Sequence, residues 1–171
     1  MATTQTTKAR QAVSRAYRAP DAPHDAIALL KADHKEVKGW FDDYEDLTDN
    51  TAKGTLAGKI CLALTVHAQI EEEIFYPAAR QATKDDDLLD EAKVEHAGAK
   101  ALVTQISAMK AGDDLYDAKV KVLGEQVKHH IEEEEDELFP EAKYAKMDLT
   151  ALGQRLAARK AELMAQLGPK H

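Results

Sequence analysis

An internal repeat constrains this chain more than any other feature. A displacement of 62 residues carries His34 onto His96, and one of 63 carries His67 onto His130, Glu71 onto Glu134 and Pro77 onto Pro140. The surroundings follow, with Glu72 matching Glu135, Tyr76-Pro77 matching Phe139-Pro140 and Lys38 matching Lys100. A chain built this way makes the same supersecondary unit twice and relates the two copies by an approximate two-fold axis.

Apolar spacing identifies that unit as a helical hairpin. Ile27, Leu30, His34, Val37, Phe41 and Tyr44 recur at intervals of three and four, the period of one helical face. After the turn-like Thr48-Asp49-Asn50-Thr51, a second stripe runs Leu56, Ile60, Leu64, His67, Glu71, Ile74 and Ala78. Lys84-Asp85-Asp86-Asp87 marks a break with aspartates suited to an N-cap, and Leu89, Ala92, His96, Ala99, Val103 and Ile106 form the third stripe. Gly112-Asp113-Asp114 is expected to end that helix and cap the next, whose face reads Tyr116, Val120, Leu123, Val127, His130, Glu134 and Leu138. The expectation is an all-α fold: an antiparallel up-down-up-down four-helix bundle over residues 21–147. Leu149, Leu152, Leu156, Leu163 and Leu167 predict a short C-terminal helix within 148–171 that packs on the bundle or on a partner. Residues 1–20, with four basic and no acidic side chains, read as a flexible or partly helical arm. Each proline falls ten residues beyond an inward histidine, and each is expected to bend or break its helix.

The inward polar residues are the candidate site. His67 with Glu71 and His130 with Glu134 are each four apart, one turn on the same face, and His34 and His96 add one imidazole from each neighbouring helix. One buried histidine is commonly an ordinary core residue. Four at corresponding core positions, two of them followed by an aligned glutamate, are not explained that way. Two carboxylates among apolar side chains cost several kcal/mol unless a cation neutralises them. His34, His67, Glu71, His96, His130 and Glu134 are therefore the candidate ligands of two metal ions. Iron, manganese and zinc all suit imidazole and carboxylate donors. The alternative register, His129 with Glu133, would carry Gln126 on its face where an apolar residue is wanted.

Composition limits the remaining choices. Aromatics are 5% of 171 residues, with 8 Gly and 5 Pro to interrupt helices, a helical profile. A net charge of −8 argues against nucleic acid as a partner, because a phosphate backbone attracts basic surfaces. No apolar stretch approaches the ~20 residues of a membrane span. The single cysteine, Cys61, has no intramolecular partner, and a cytoplasmic location is expected.

The pattern resembles the hemerythrin-like, or HHE cation-binding, domain: one His on the first helix, His-Ala-Gln-Ile-Glu at 67 to 71, one His on the third helix and His-Ile-Glu-Glu-Glu at 130 to 134. The resemblance covers about residues 25 to 145, including the opening Asp25–Phe41 helix. It implies a four-helix bundle holding two iron ions, oxo- or hydroxo-bridged, that bind dioxygen or a related small molecule. Its oxygen-carrying members have a second histidine four residues after the third-helix His, where this chain has Lys100. Tyr44 and Tyr116, ten and fourteen residues from the nearest candidate ligand, lie roughly 15 to 21 Å away along a helix and are not expected to replace it. An exchangeable position on both metals is the consequence. This favours binding or sensing of dioxygen, nitric oxide or peroxide, with peroxidase- or catalase-like turnover, over reversible oxygen carriage. The alternative is a metal-buffering, iron-handling or interaction module whose metal is mainly structural. A monomer or weak homo-oligomer is expected.

Overall fold

The computed structural model describes residues 25–169, so the basic arm expected at 1–20 lies outside the described residues. Five helices follow one another: α1 (Ala26–Asp46), α2 (Asn50–Ile70, prolonged through Glu71–Phe75 into Tyr76–Thr83), α3 (Asp86–Ser107), α4 (Tyr116–Glu133, prolonged through Glu134–Leu138 into Phe139–Tyr144) and α5 (Leu149–Leu167). The first four form the antiparallel bundle, each packing on the next and α4 closing back on α1.

Four helices begin on an aspartate. Asp25, Asp49, Asp85 and Asp148 each accept the backbone N–H three residues on, at 2.8 to 3.1 Å. Such caps contribute about 1 kcal/mol each. Helix α4 departs from the expectation, because neither Asp113 nor Asp114 caps it. The Asp113 carboxylate is already used in the preceding turn, accepting the Lys110 N–H at 2.8 Å, and α4 starts instead from Leu115 in a left-handed conformation. Gly112, at φ +98, supplies the turn, where a Cβ would stand 2.7 Å from the Asn50 amide nitrogen.

The prolines end neither helix, and each is met by a local irregularity of the helix. A proline inside an α-helix lacks its N–H and collides with the carbonyl four residues back. Here the turn before each one is a π-turn. The Tyr76 N–H bonds to the Glu71 carbonyl and the Phe139 N–H to that of Glu134, five residues back in each case. The wider turn admits the ring and lets the helix run on. It also shifts the register by one, so that Ala79 is buried where a pure α period points to Ala78.

Two apolar clusters fill the bundle. One, at the proline end, joins Ile27, Leu30, Phe75, Leu89 and Phe139 to Leu152, Leu156 and Leu163 of α5. The other, at the opposite end, is built from Phe41, Ile60, Ile106, Leu123 and Ile131. Helix α5 lies against α1 and α2 so closely that a Cβ on Gly153 would stand 2.8 Å from the Ala26 backbone nitrogen.

Candidate metal centre

All six sequence-predicted residues converge within the bundle. His34, His67, Glu71 and Glu134 form one group and Glu71, His96, His130 and Glu134 a second, each offering ligand atoms within 4.8 Å of one another. Both carboxylates belong to both groups. Glu71 and Glu134 are 0% and 2% exposed, and His34, His96 and His130 are buried, while the His67 side chain keeps 12% of its surface. His129 and Glu133, the other register, pair with each other at 3.0 Å on the surface, with the His129 side chain 65% exposed.

The contacts within this cluster are close but poorly matched as hydrogen bonds. His34 Nε2 faces His67 Nε2 at 3.1 Å, and His96 Nε2 faces His130 Nε2 at the same distance. Glu71 meets His67 Nε2 at 2.6 Å and Glu134 meets His130 Nε2 at 2.9 Å, each pair one turn apart on its own helix. Yet both oxygens of Glu71 and Oε2 of Glu134 accept no hydrogen bond. Buried polar atoms are normally satisfied, and a carboxylate left without partners in the interior costs several kcal/mol. A set of four imidazole nitrogens and two carboxylates pointing at common centres is the donor chemistry of a metal-cation site.

Three of the four outer nitrogens are held too. His67 Nδ1 lies 3.0 Å from Asp33, His130 Nδ1 2.9 Å from Glu95 and His34 Nδ1 3.2 Å from Glu135; His96 Nδ1 is 3.6 Å from Glu72. A carboxylate behind an imidazole takes its Nδ1 proton, leaves Nε2 free to ligate and raises ligand basicity. Asp33 and Glu95 each precede a candidate histidine and Glu72 and Glu135 each follow a candidate glutamate, so this outer layer repeats with the inner one.

The metal-free electrostatics follow from the crowding. Burial alone would lower the His67 pKa, but Glu71 and Asp33 outweigh it and push it up to about 10. At His130 burial is likewise outweighed, by Glu134 and Glu95, and the pKa rises to about 11. His96 goes the other way, lowered by burial first, with the charge of neighbouring His130 adding to it against the pull of Glu71. Burial would raise the Glu134 pKa; the close approach of Glu71, His130 and His34, with the charge on His130, holds it well below the usual carboxylate range.

Over residues 25–142 the chain matches the family described as Hemerythrin HHE cation binding domain. The chain is a member of the hemerythrin HHE cation-binding family. A protein named DNA nickase from Nostoc sp. (strain PCC 7120 / SAG 25.82 / UTEX 2576) is 30% identical to it over 111 residues, 65% of this chain and 31% of that protein. The chain thus spans about a third of that relative's length. Among solved structures, a hemerythrin HHE cation binding domain-containing protein from Mycobacterium kansasii superposes with a TM-score of 0.72 at 23% identity, covering 83% of this chain and 88% of that one, and so shares its fold.

One residue of this HHE domain was not legible as part of the site. The Tyr76 hydroxyl donates to Glu134 Oε1 and lies 3.2 Å from His96 Nε2 and 3.3 Å from His130 Nε2. Burial, then Glu134 and Glu71, raise its pKa well above the ordinary phenol value. Tyr76 thereby brings a hydroxyl to the second group. Lys100 does not reach the cluster: its ammonium pairs with Glu72 at 2.5 Å near the surface. Tyr44 bonds to Asp117 and Tyr116 is buried in the far apolar cluster, both away from the site as expected. A signal for Tyr76 does exist in the repeat, which sets it against Phe139, a difference of one hydroxyl.

Proposed function

We propose that His34, His67, Glu71 and Glu134 hold one iron ion, that Glu71, His96, His130 and Glu134 hold a second, and that the centre binds or senses dioxygen, nitric oxide or peroxide. The observation that carries this reading is the pair of four-residue groups sharing two buried glutamates, three of whose four oxygens lack hydrogen-bond partners. Family membership supports cation binding, and the imidazole-carboxylate donor set suits iron. Two irons so placed supply electrons and Lewis acidity to a small oxidant.

The surrounding residues have separate tasks. Asp33, Glu95 and Glu135 hold the imidazoles in the tautomer that ligates through Nε2. Tyr76 donates its hydroxyl proton toward Glu134 Oε1 and so offers one at the second group. Phe75 and Phe139, both buried, exclude water from the proline end. Among the described residues no helix is long and apolar enough to cross a membrane, which fits the proposed cytoplasmic setting. The match to the cyanobacterial relative does not bring its named activity here, since a net charge of −8 gives a phosphate backbone little attraction. Metal analysis of protein purified from iron-replete cells is the test. About two irons per chain are expected, with consumption of added peroxide that disappears in His67→Ala and Glu134→Ala; iron near zero overturns the proposal.

A further inference from the structure

A cavity of about 370 Å³ reaches the four histidines from the surface of the bundle. This is far more space than a diatomic molecule or peroxide needs, since about 150 Å³ already holds benzene. By the same measure it takes roughly fifteen non-hydrogen atoms. Its walls include Val37, Leu64, Ala99, Val103, Val127 and Ile131. Leu64, Ala99 and Val103 stand at core positions of α2 and α3 yet are only half-buried, because they face this space.

The charges along it are unequal in availability. Lys100 is committed to Glu72 and Lys160 to Asp33. Asp33 and Glu95 are in turn engaged by His67 and His130. Lys59 is exposed, has no carboxylate partner among the described residues and lies 4.5 Å from the centroid of the half-buried Trp40 ring. Exposed Glu36 is the opposing charge on the same lining.

We propose that this cavity binds a monocarboxylate of about eight to twelve carbons, its chain along the apolar walls, its head at Lys59 beside Trp40 and its far end toward the histidines. The ligand class refines the function proposed above and rests on that reading for what the far end meets; occupancy itself needs only the cavity.

Trp40 is the one tryptophan of the chain, so its emission reports the lining directly. The full chain, metal-stripped and iron-loaded in parallel, is titrated with decanoate, decylamine and butyrate at neutral pH. Decanoate is expected to give a saturable change in both forms and butyrate none. The decanoate affinity should fall at least tenfold in Lys59→Glu and in Val103→Phe, and rise in Glu36→Gln. Lys59 is exposed, so its variant remains informative if Val103→Phe fails to fold. No saturable response below about 1 mM, equal binding of decylamine, or an unchanged affinity in Lys59→Glu overturns the proposal. The metal-stripped arm separates this result from any failure of the iron reading, which iron content alone decides.

Discussion

Replacing one imidazole-carboxylate pair by apolar side chains, His67→Phe with Glu71→Leu, is expected to leave the metal-free protein at least as stable as before while weakening its response to metal. Glu71 is fully buried without a hydrogen bond, and its 2.6 Å contact with His67 holds two charges largely out of water. Exchanging such a pair for packed apolar residues is typically neutral or stabilising by about 1–4 kcal/mol, whereas removing one member costs about 3–5 kcal/mol. Asp33 loses His67 but keeps Lys160 at 2.5 Å. At about 2–4 °C per kcal/mol for a domain of this size, the double variant should melt between the metal-free parent's temperature and roughly 16 °C above it. Glu71→Leu alone should melt roughly 6–20 °C below. Metal favours the parent, since iron at a hundred times its Kd adds about 2.7 kcal/mol to it and less to the double variant, which keeps only His96, His130 and Glu134 of one group. Anaerobic calorimetric melts with and without ferrous iron read all four states. A double variant melting more than about 6 °C below the metal-free parent, or stabilised by iron as the parent is, would refute the reasoning.

The raised His67 and His130 pKa values keep both imidazoles protonated in the metal-free protein at neutral pH, so their ion pairs contribute fully below about 6.5 and are lost as pH rises through about 10 and 11. Metal must displace those protons, and pH-indicator titration should find about two released per pair of metals at pH 7, with affinity rising as pH increases. Tyr76→Phe removes a hydrogen bond to a buried carboxylate and should cost about 1.5–3 kcal/mol in a metal-free denaturant melt. The same change should alter the visible spectrum of iron-loaded protein, while Tyr144→Phe, at a 91% exposed position, should not. Gly153→Ala sets a Cβ 2.8 Å from backbone that cannot swing aside, and should destabilise by about 1–3 kcal/mol. Gly58→Ala, with nothing within 4 Å, should instead stabilise by about 0.5–1 kcal/mol in the same melt.

The fold and the six inward polar residues were legible because they share one physical signal. A helical face buries every third or fourth side chain, and His34, His67, Glu71, His96, His130 and Glu134 each continue an apolar stripe. Tyr76 escaped because the π-turn from Glu71 to Phe75 adds a residue to the turn, and a strict α period cannot anticipate a change of register. The same shift buries Ala79 in place of Ala78. The proline pointed to the right place for an irregularity: its steric demand is met by a wider turn rather than a break. Asp113 was misplaced because two turns competed for one carboxylate, and spacing does not say which wins. Of the outer carboxylates, Glu72 and Glu135 were hidden inside acidic runs, where only tertiary contact separates Glu135 from its exposed neighbour Asp136.

The repeat sets out two equal halves, and a few residues make them unequal. Tyr76 brings a hydroxyl to His96 and His130, whereas Phe139, its counterpart, lies parallel to the His34 ring at 5.8 Å and offers no polar atom. Lys160 of α5, a helix outside the repeat, shares Asp33 with His67, while Glu95 behind His130 has no lysine on it among the described residues. A lysine on the outer carboxylate draws negative charge away from the imidazole, so His67 is the less basic donor of the two. On the proposed reading the metal held with His34 and His67 has the weaker donors and no phenol beside it. A small molecule arriving among the four histidines then meets one half closed by Tyr76 and one half closed by nothing polar. Were metals held there, exchange would be least obstructed in the half that holds His34 and His67, which has no phenol beside it.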